Sequence, residues 1–188
     1  MSQNAPNRLH HTAYVTKDIE KTRAFYETII GLPLVATFCE KDVLFGKERV
    51  YCHAFFGMED GSALAFFQFA NADDEAEFIP EIPSTPFVHI ALNVDARTQA
   101  EIEQRIARAG YREPDTYVLE HGYCRSVYVK DPNGLIIELA VDSPAATAKA
   151  DARRASAHDD LKRWLKGDHG SNNVYRPKQP AEPVAETV

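Results

Sequence analysis

Apolar and polar positions follow one order twice along this chain. The first run opens at "LHHTAYV", Leu9–Val15, a short strand. "TKDIEKTRAFYETIIGLP" then reads as a helix. Thr16 or Asp18 can cap it, Ile19, Phe25, Ile29 and Ile30 share roughly one face, and Gly31 and Pro33 stop it. A strand around Leu34–Phe38 follows. "RVYCHAFFGMEDGSALAFFQF" predicts two further strands about a tight turn at "MEDG". The acidic stretch at 70–86, with three prolines, reads as a linker.

The pattern then restarts. "FVHIALNV" is a strand, and "DARTQAEIEQRIARAGY" a helix with Ile102, Ile106 and Ala109 inward and Gly110 at its end. A strand around Tyr117–Glu120 and the hairpin "YCRSVYVKDPNGLIIELAV" complete it. Each half reads β-α-β-β-β. The helix-ending glycines fall 20 and 21 residues after His11 and His89. Both halves close with a turn ending in Gly and then an apolar strand, which marks a duplicated unit. The expected fold is α+β. Two βαβββ modules, at 8–70 and 87–142 with a linker at 71–86, form one domain at 1–142. A C-terminal helix and tail occupy 143–188, with Leu161, Trp164 and Leu165 as an apolar stripe docking segment 145–175 on the domain.

Side chains alternate across a strand, so only one of His10 and His11 faces inward. His11 and His89 each stand two residues before an Ala, which makes them the matching pair and His10 the odd one. "DPNG" suits a type I turn with Gly134 as a left-handed bulge residue. That register sets Tyr128 opposite Glu138, a lone carboxylate in an apolar strand. The same logic sets Cys52 opposite Gln68, read as the first-module counterpart of Glu138, with His53 on the other face. His11, His89 and Glu138 offer two imidazoles and one carboxylate, a set that binds a divalent metal and leaves positions open. Gln68 is a fourth ligand or a near-site polar residue.

Composition narrows the partners. The chain has 188 residues, 44% hydrophobic and 26% charged, with a net charge of −7. This argues against nucleic acid or an anionic membrane surface as the main partner. Three cysteines without CxxC spacing, no apolar leader and no membrane-length run predict a cytoplasmic protein.

The stretches "LHHTAYVTKDIEKTRAFYETIIGLPLV", "FVHIALNV" and "HGYCRSVYVKDPNGLIIEL" resemble the vicinal oxygen chelate superfamily, which includes glyoxalase I, fosfomycin-resistance proteins and extradiol dioxygenases. The resemblance covers roughly residues 8–142. It implies an eight-stranded open barrel around one metal, held by His11, His89 and Glu138, in a homodimer acting on a small molecule. It favours an Fe(II) extradiol-type dioxygenase of a catecholic aromatic, with Mn(II), Ni(II) or Zn(II) as other metals. By this resemblance Tyr128 contacts the substrate; His121, a few residues earlier, is a candidate acid–base group. The alternatives are a lactoylglutathione-lyase-like glyoxalase, a glutathione or thiol transferase of the resistance type, and a non-catalytic binding module. Glyoxalases resemble one another in drawing carboxylates from both modules, and an amide at Gln68 cannot act as a base.

Overall fold

The computed structural model describes residues 5–83 and 85–176. Strand β1 (His11–Val15) leads into α1 (Ile19–Arg23), which runs on as a π-helical stretch, Ala24–Ile30. The Asp18 carboxylate accepts from the Lys21 amide and caps α1. Gly31, at φ +96°, ends the helix in the left-handed conformation that a side chain disfavours. Strands β2 (Leu34–Leu44), β3 (Lys47–Gly57) and β4 (Ala63–Phe69) complete the first module. The second comprises β5 (His89–Asn93), helix α3 (Ala96–Arg108), β6 (Thr116–Glu120), β7 (Cys124–Lys130) and β8 (Ile136–Asp142). Between them lies α2 (Ala72–Phe78); α4 (Pro144–Thr147) and α5 (Ala150–Leu165) follow.

Each module forms a four-stranded sheet, in the orders β1-β4-β3-β2 and β5-β8-β7-β6. In both, the first strand lies parallel to the last and the others run antiparallel. The duplication is therefore structural. One face of each sheet packs into a shared core that joins Phe25, Tyr26, Phe56 and Phe66 to Ile102, Val127, Ile137 and Leu139. Two polar links cross between the modules. Tyr26 donates to Asp131 Oδ2 at 2.9 Å, and Arg105 donates to the Ile29 and Ile30 carbonyls at 2.7 and 3.1 Å.

The two sheets share no strand pairing, so the eight strands stay open as expected. Three expectations are revised. The expected linker contains α2, whose Asp74 is fully buried and paired with Arg49 and Lys47; that ion network holds the helix against β3. The strand foreseen at Leu34–Phe38 runs on to Leu44 and turns at Phe45–Gly46, both at positive φ, a hairpin the alternation did not reveal. Helix α5 buries none of its residues: Leu161, Trp164 and Leu165 are 55–74% exposed. The segment after it makes the contacts with the domain.

Candidate metal centre

The parallel pairing places the two histidines at equivalent points. His11 lies beside Ala63 at the start of β1, and His89 beside Ile136 at the start of β5. On the second sheet the turn at Asp131–Gly134 forms as its sequence dictates. The Gly134 amide donates to the Asp131 carbonyl and the Asp131 amide to that of Leu135. Tyr128 consequently stands opposite Glu138. Glu138 also neighbours Ala91, two residues beyond His89, so all three side chains share the face turned away from the core.

His89 Nε2 lies 2.8 Å from Glu138 Oε2. Its Nδ1 lies 2.8 Å from the Pro86 carbonyl, which only accepts, so that nitrogen carries the proton. In the neutral imidazole this turns the Nε2 lone pair toward a carboxylate oxygen. That spacing suits either a proton on Nε2 shared with the carboxylate or a cation held by both, and the donor set fits a divalent metal. Ser126, fully buried, donates to Glu138 Oε1 at 2.5 Å and fixes the carboxylate from behind. Ser126 escaped the sequence reading, although alternation with Tyr128 puts it on the Glu138 face. The Tyr128 ring is edge-on to His89 at 5.6 Å and stacks on Tyr117 at 4.8 Å. Burial, then the nearby Glu138 charge, push its hydroxyl up to about 12, so it remains protonated. His121 Nε2 lies 3.0 Å from that hydroxyl.

His11 belongs to the other sheet. Its Nδ1 meets His10 Nδ1 at 2.7 Å, and its ring lies 5.9 Å from His53 and 5.3 Å from Phe55. Among the described residues, no three His, Cys, Asp or Glu side chains of one chain are gathered closely enough to hold a metal ion. His89 and Glu138 come together within a chain, and His11 does not join them.

Two face assignments are corrected. Counting along the paired strands, Ala65 is the counterpart of Glu138. Gln68 is three residues further on, and an odd offset puts it on the opposite, helix-covered face. There its Oε1 accepts from the Ile19 amide at 2.9 Å, at the start of α1. The same parity returns His53 to the His11 face, where it stacks on Phe67 at 3.6 Å. Burial, then the neighbouring His11, lower the His53 pKa to about 4, so it is neutral near pH 7. His53, Phe55, Phe67 and Phe38 line this face with aromatic rings. A cavity of about 460 Å³ adjoins it, bounded by Ala13, Phe67, Ile82 and His89.

Residues 8–139 match the Glyoxalase family, described as the Glyoxalase/Bleomycin resistance protein/Dioxygenase superfamily, and the chain belongs to it. A Vibrio parahaemolyticus protein named "Probable lactoylglutathione lyase" is 29% identical over 139 residues, covering 74% of this chain and 94% of that one. Bacillus subtilis YwbC, described as uncharacterized, is 29% identical over 136 residues, covering 70% of this chain and 94% of its own length. The fosfomycin resistance protein FosX of Listeria monocytogenes superposes with a TM-score of 0.54 at 20% identity, over 76% of this chain and 98% of FosX. A FosX structure complexed with Mn(II) and 1S,2S-dihydroxypropylphosphonic acid gives the same TM-score at 19% identity, over 77% and 100% of the two chains. At these identities the superpositions establish the fold. Among the described residues no helix is long and apolar enough to cross a membrane.

Proposed function

We propose that this protein is a metal-dependent enzyme of the superfamily, an extradiol-type dioxygenase that opens the ring of a catecholic aromatic. His89 and Glu138 of one chain and His11 of a second copy hold one Fe(II) ion, and the working unit is a homodimer. The reading with a shared site rests on the placement of His11, which stands on a separate sheet from the other two donors. When bound, the cation would supply a positive, redox-active centre for the reaction of the catechol with dioxygen. The chain's own residues do the remainder. Tyr128 hydrogen-bonds a substrate oxygen, and His121, behind it, orients the Tyr128 hydroxyl by a hydrogen bond. Ser126 and the Pro86 carbonyl hold the two ligands in position. The free Cys39, Cys52 and Cys124 fit a reducing, cytoplasmic setting.

One observation carries the substrate class. The faces that bear the donors are lined by aromatic rings, His53, Phe55 and Phe67 on one and Tyr117 and Tyr128 on the other, which suits a flat aromatic guest. Protein reconstituted anaerobically with Fe(II) is expected to consume O₂ with members of a catechol panel and give coloured products. No uptake across the panel, with iron bound, overturns the assignment.

The Vibrio relative's name favours a second reading, a lyase acting on a methylglyoxal–glutathione adduct. Against it, the first-module position equivalent to Glu138 is Ala65, which can neither ligate nor act as a base. The lyase predicts turnover of that adduct without O₂ uptake, under Ni(II) or Zn(II).

A further inference from the structure

Beyond α5 the chain returns as a strap and crosses the turn between β6 and β7. Arg163 and Arg153 donate to the Gly170 and Asn172 carbonyls at 2.8 and 2.9 Å and tie the strap to the helix. The guanidinium of Arg153 also lies 5.3 Å from the Tyr175 ring centre. On the domain side, Asn173 Nδ2 donates to the His121 carbonyl at 2.9 Å and Arg176 Nε to the Glu120 carbonyl at 3.3 Å. Gly122 permits this approach. A Cβ there would stand 2.6 Å from the Tyr175 carbonyl group and 2.8 Å from the Arg176 amide. The strap lies wholly outside residues 8–139, the part matched by the family.

Arg176 Nη2 lies 3.2 Å from His121 Nδ1. A guanidinium only donates, so Nδ1 must accept. A neutral imidazole then has its single proton on Nε2, the nitrogen 3.0 Å from the Tyr128 hydroxyl. His121 donates to that oxygen, and the Tyr128 proton is left for another acceptor on the Glu138 side. With the other tautomer, Tyr128 would spend its proton on His121.

We propose that Arg176 is a positioning residue of the site: through His121 it makes the Tyr128 hydroxyl a hydrogen-bond donor toward an oxyanion of the chelated substrate. The proposal rests on the metal-site reading above and assigns the strap a role in substrate orientation.

Side-chain ¹⁵N–¹H NMR of the metal-free full chain, with labelled histidine and His121 assigned by its absence in His121→Gln, reads the tautomer directly. The expected result is a proton on Nε2 and a bare Nδ1 in the unaltered protein. Arg176→Ala should populate the Nδ1–H form, and Arg176→Lys, which retains a cationic donor, should restore Nε2–H at least in part. Tyr128→Phe should leave Nε2–H in place, because the arginine sets it. A proton on Nδ1 in the unaltered protein overturns the proposal, as does a tautomer unmoved by Arg176→Ala. Metal content, measured separately on the same proteins, is expected to be equal in the unaltered chain and Arg176→Ala. Lack of metal in the unaltered chain counts against the site reading alone, since the tautomer is read without metal.

Discussion

His89 Nε2 and Glu138 Oε2 stand 2.8 Å apart across neighbouring parallel strands, with the imidazole's other nitrogen bound to the Pro86 carbonyl and the carboxylate's other oxygen bound to Ser126. Each group is held from behind, so the imidazole nitrogen and the carboxylate oxygen face one another in front.

Removing either group should abolish metal binding. His89→Ala and Glu138→Ala are expected to lower metal affinity by more than the ~10–100-fold typical of losing an outer-shell partner. Ser126→Ala should fall within that ~10–100-fold range. Elemental analysis and competitive metal titration check both. Unchanged metal content in His89→Ala would show the ligand set to be wrong.

Sharing between copies has its own signature. His11→Ala and Glu138→Ala homodimers should each lack complete sites. Unfolding and refolding a mixture of the two should recover about a quarter of the sites, because half of the dimers are hybrids with one intact site of two. Metal content of the refolded mixture measures this. No recovery, with hybrid dimers present by mass, would place the whole site within one chain.

Tyr128→Phe should retain metal and lose turnover. The ring still stacks on Tyr117, while the donor to substrate is gone. A hydroxyl acting in the reaction typically contributes ~10²–10⁴-fold. The expected change is in kcat on the catechol that gives the fastest O₂ uptake, with metal content equal to that of the parent.

Tyr26→Phe tests the join between modules. It removes the hydroxyl that a buried Asp131 accepts at 2.9 Å and leaves the ring's packing unaltered. The expected cost is about 1.5–3 kcal/mol by urea unfolding, the range for a hydrogen bond to a charged group. Metal binding by the folded protein should be unaffected.

Asp131 also sets a pH dependence. Burial raises its pKa above the usual carboxylate value, and bonds from Asn133, Tyr26 and Leu135 only partly oppose this. A raised carboxyl contributes most stability below its unfolded pKa, near 3.8, and loses that contribution as pH rises through the folded value. The stability difference between the parent and Asp131→Asn should therefore shift against the parent as pH rises from 4 toward 7. Urea unfolding at several pH values checks it. A difference that is flat, or that shifts the other way, would show that Asp131 is not raised.

Local physics made much of this protein legible from its sequence. Gly31 and Gly110 end helices, "DPNG" and "MEDG" set hairpin registers, and alternation places Tyr128 opposite Glu138; each depends on residues near one another in the chain. The repeat of these signals revealed two modules and paired His11 with His89. Long-range pairing decided the rest. Strand faces alternate, so counting three positions too far from a turn moves a residue through the sheet. Taking Gln68 instead of Ala65 as the counterpart of Glu138 puts Gln68 on the donor face and turns His53 away from His11. The register of β4 against the parallel β1, whose residues lie about fifty positions away, corrects it. The separation of His11 from His89 and Glu138, and the approach of Arg176 to His121 across 55 residues, likewise depend on how distant elements pack. No local periodicity encodes such contacts, because they arise only when helices and sheets bury their apolar faces together.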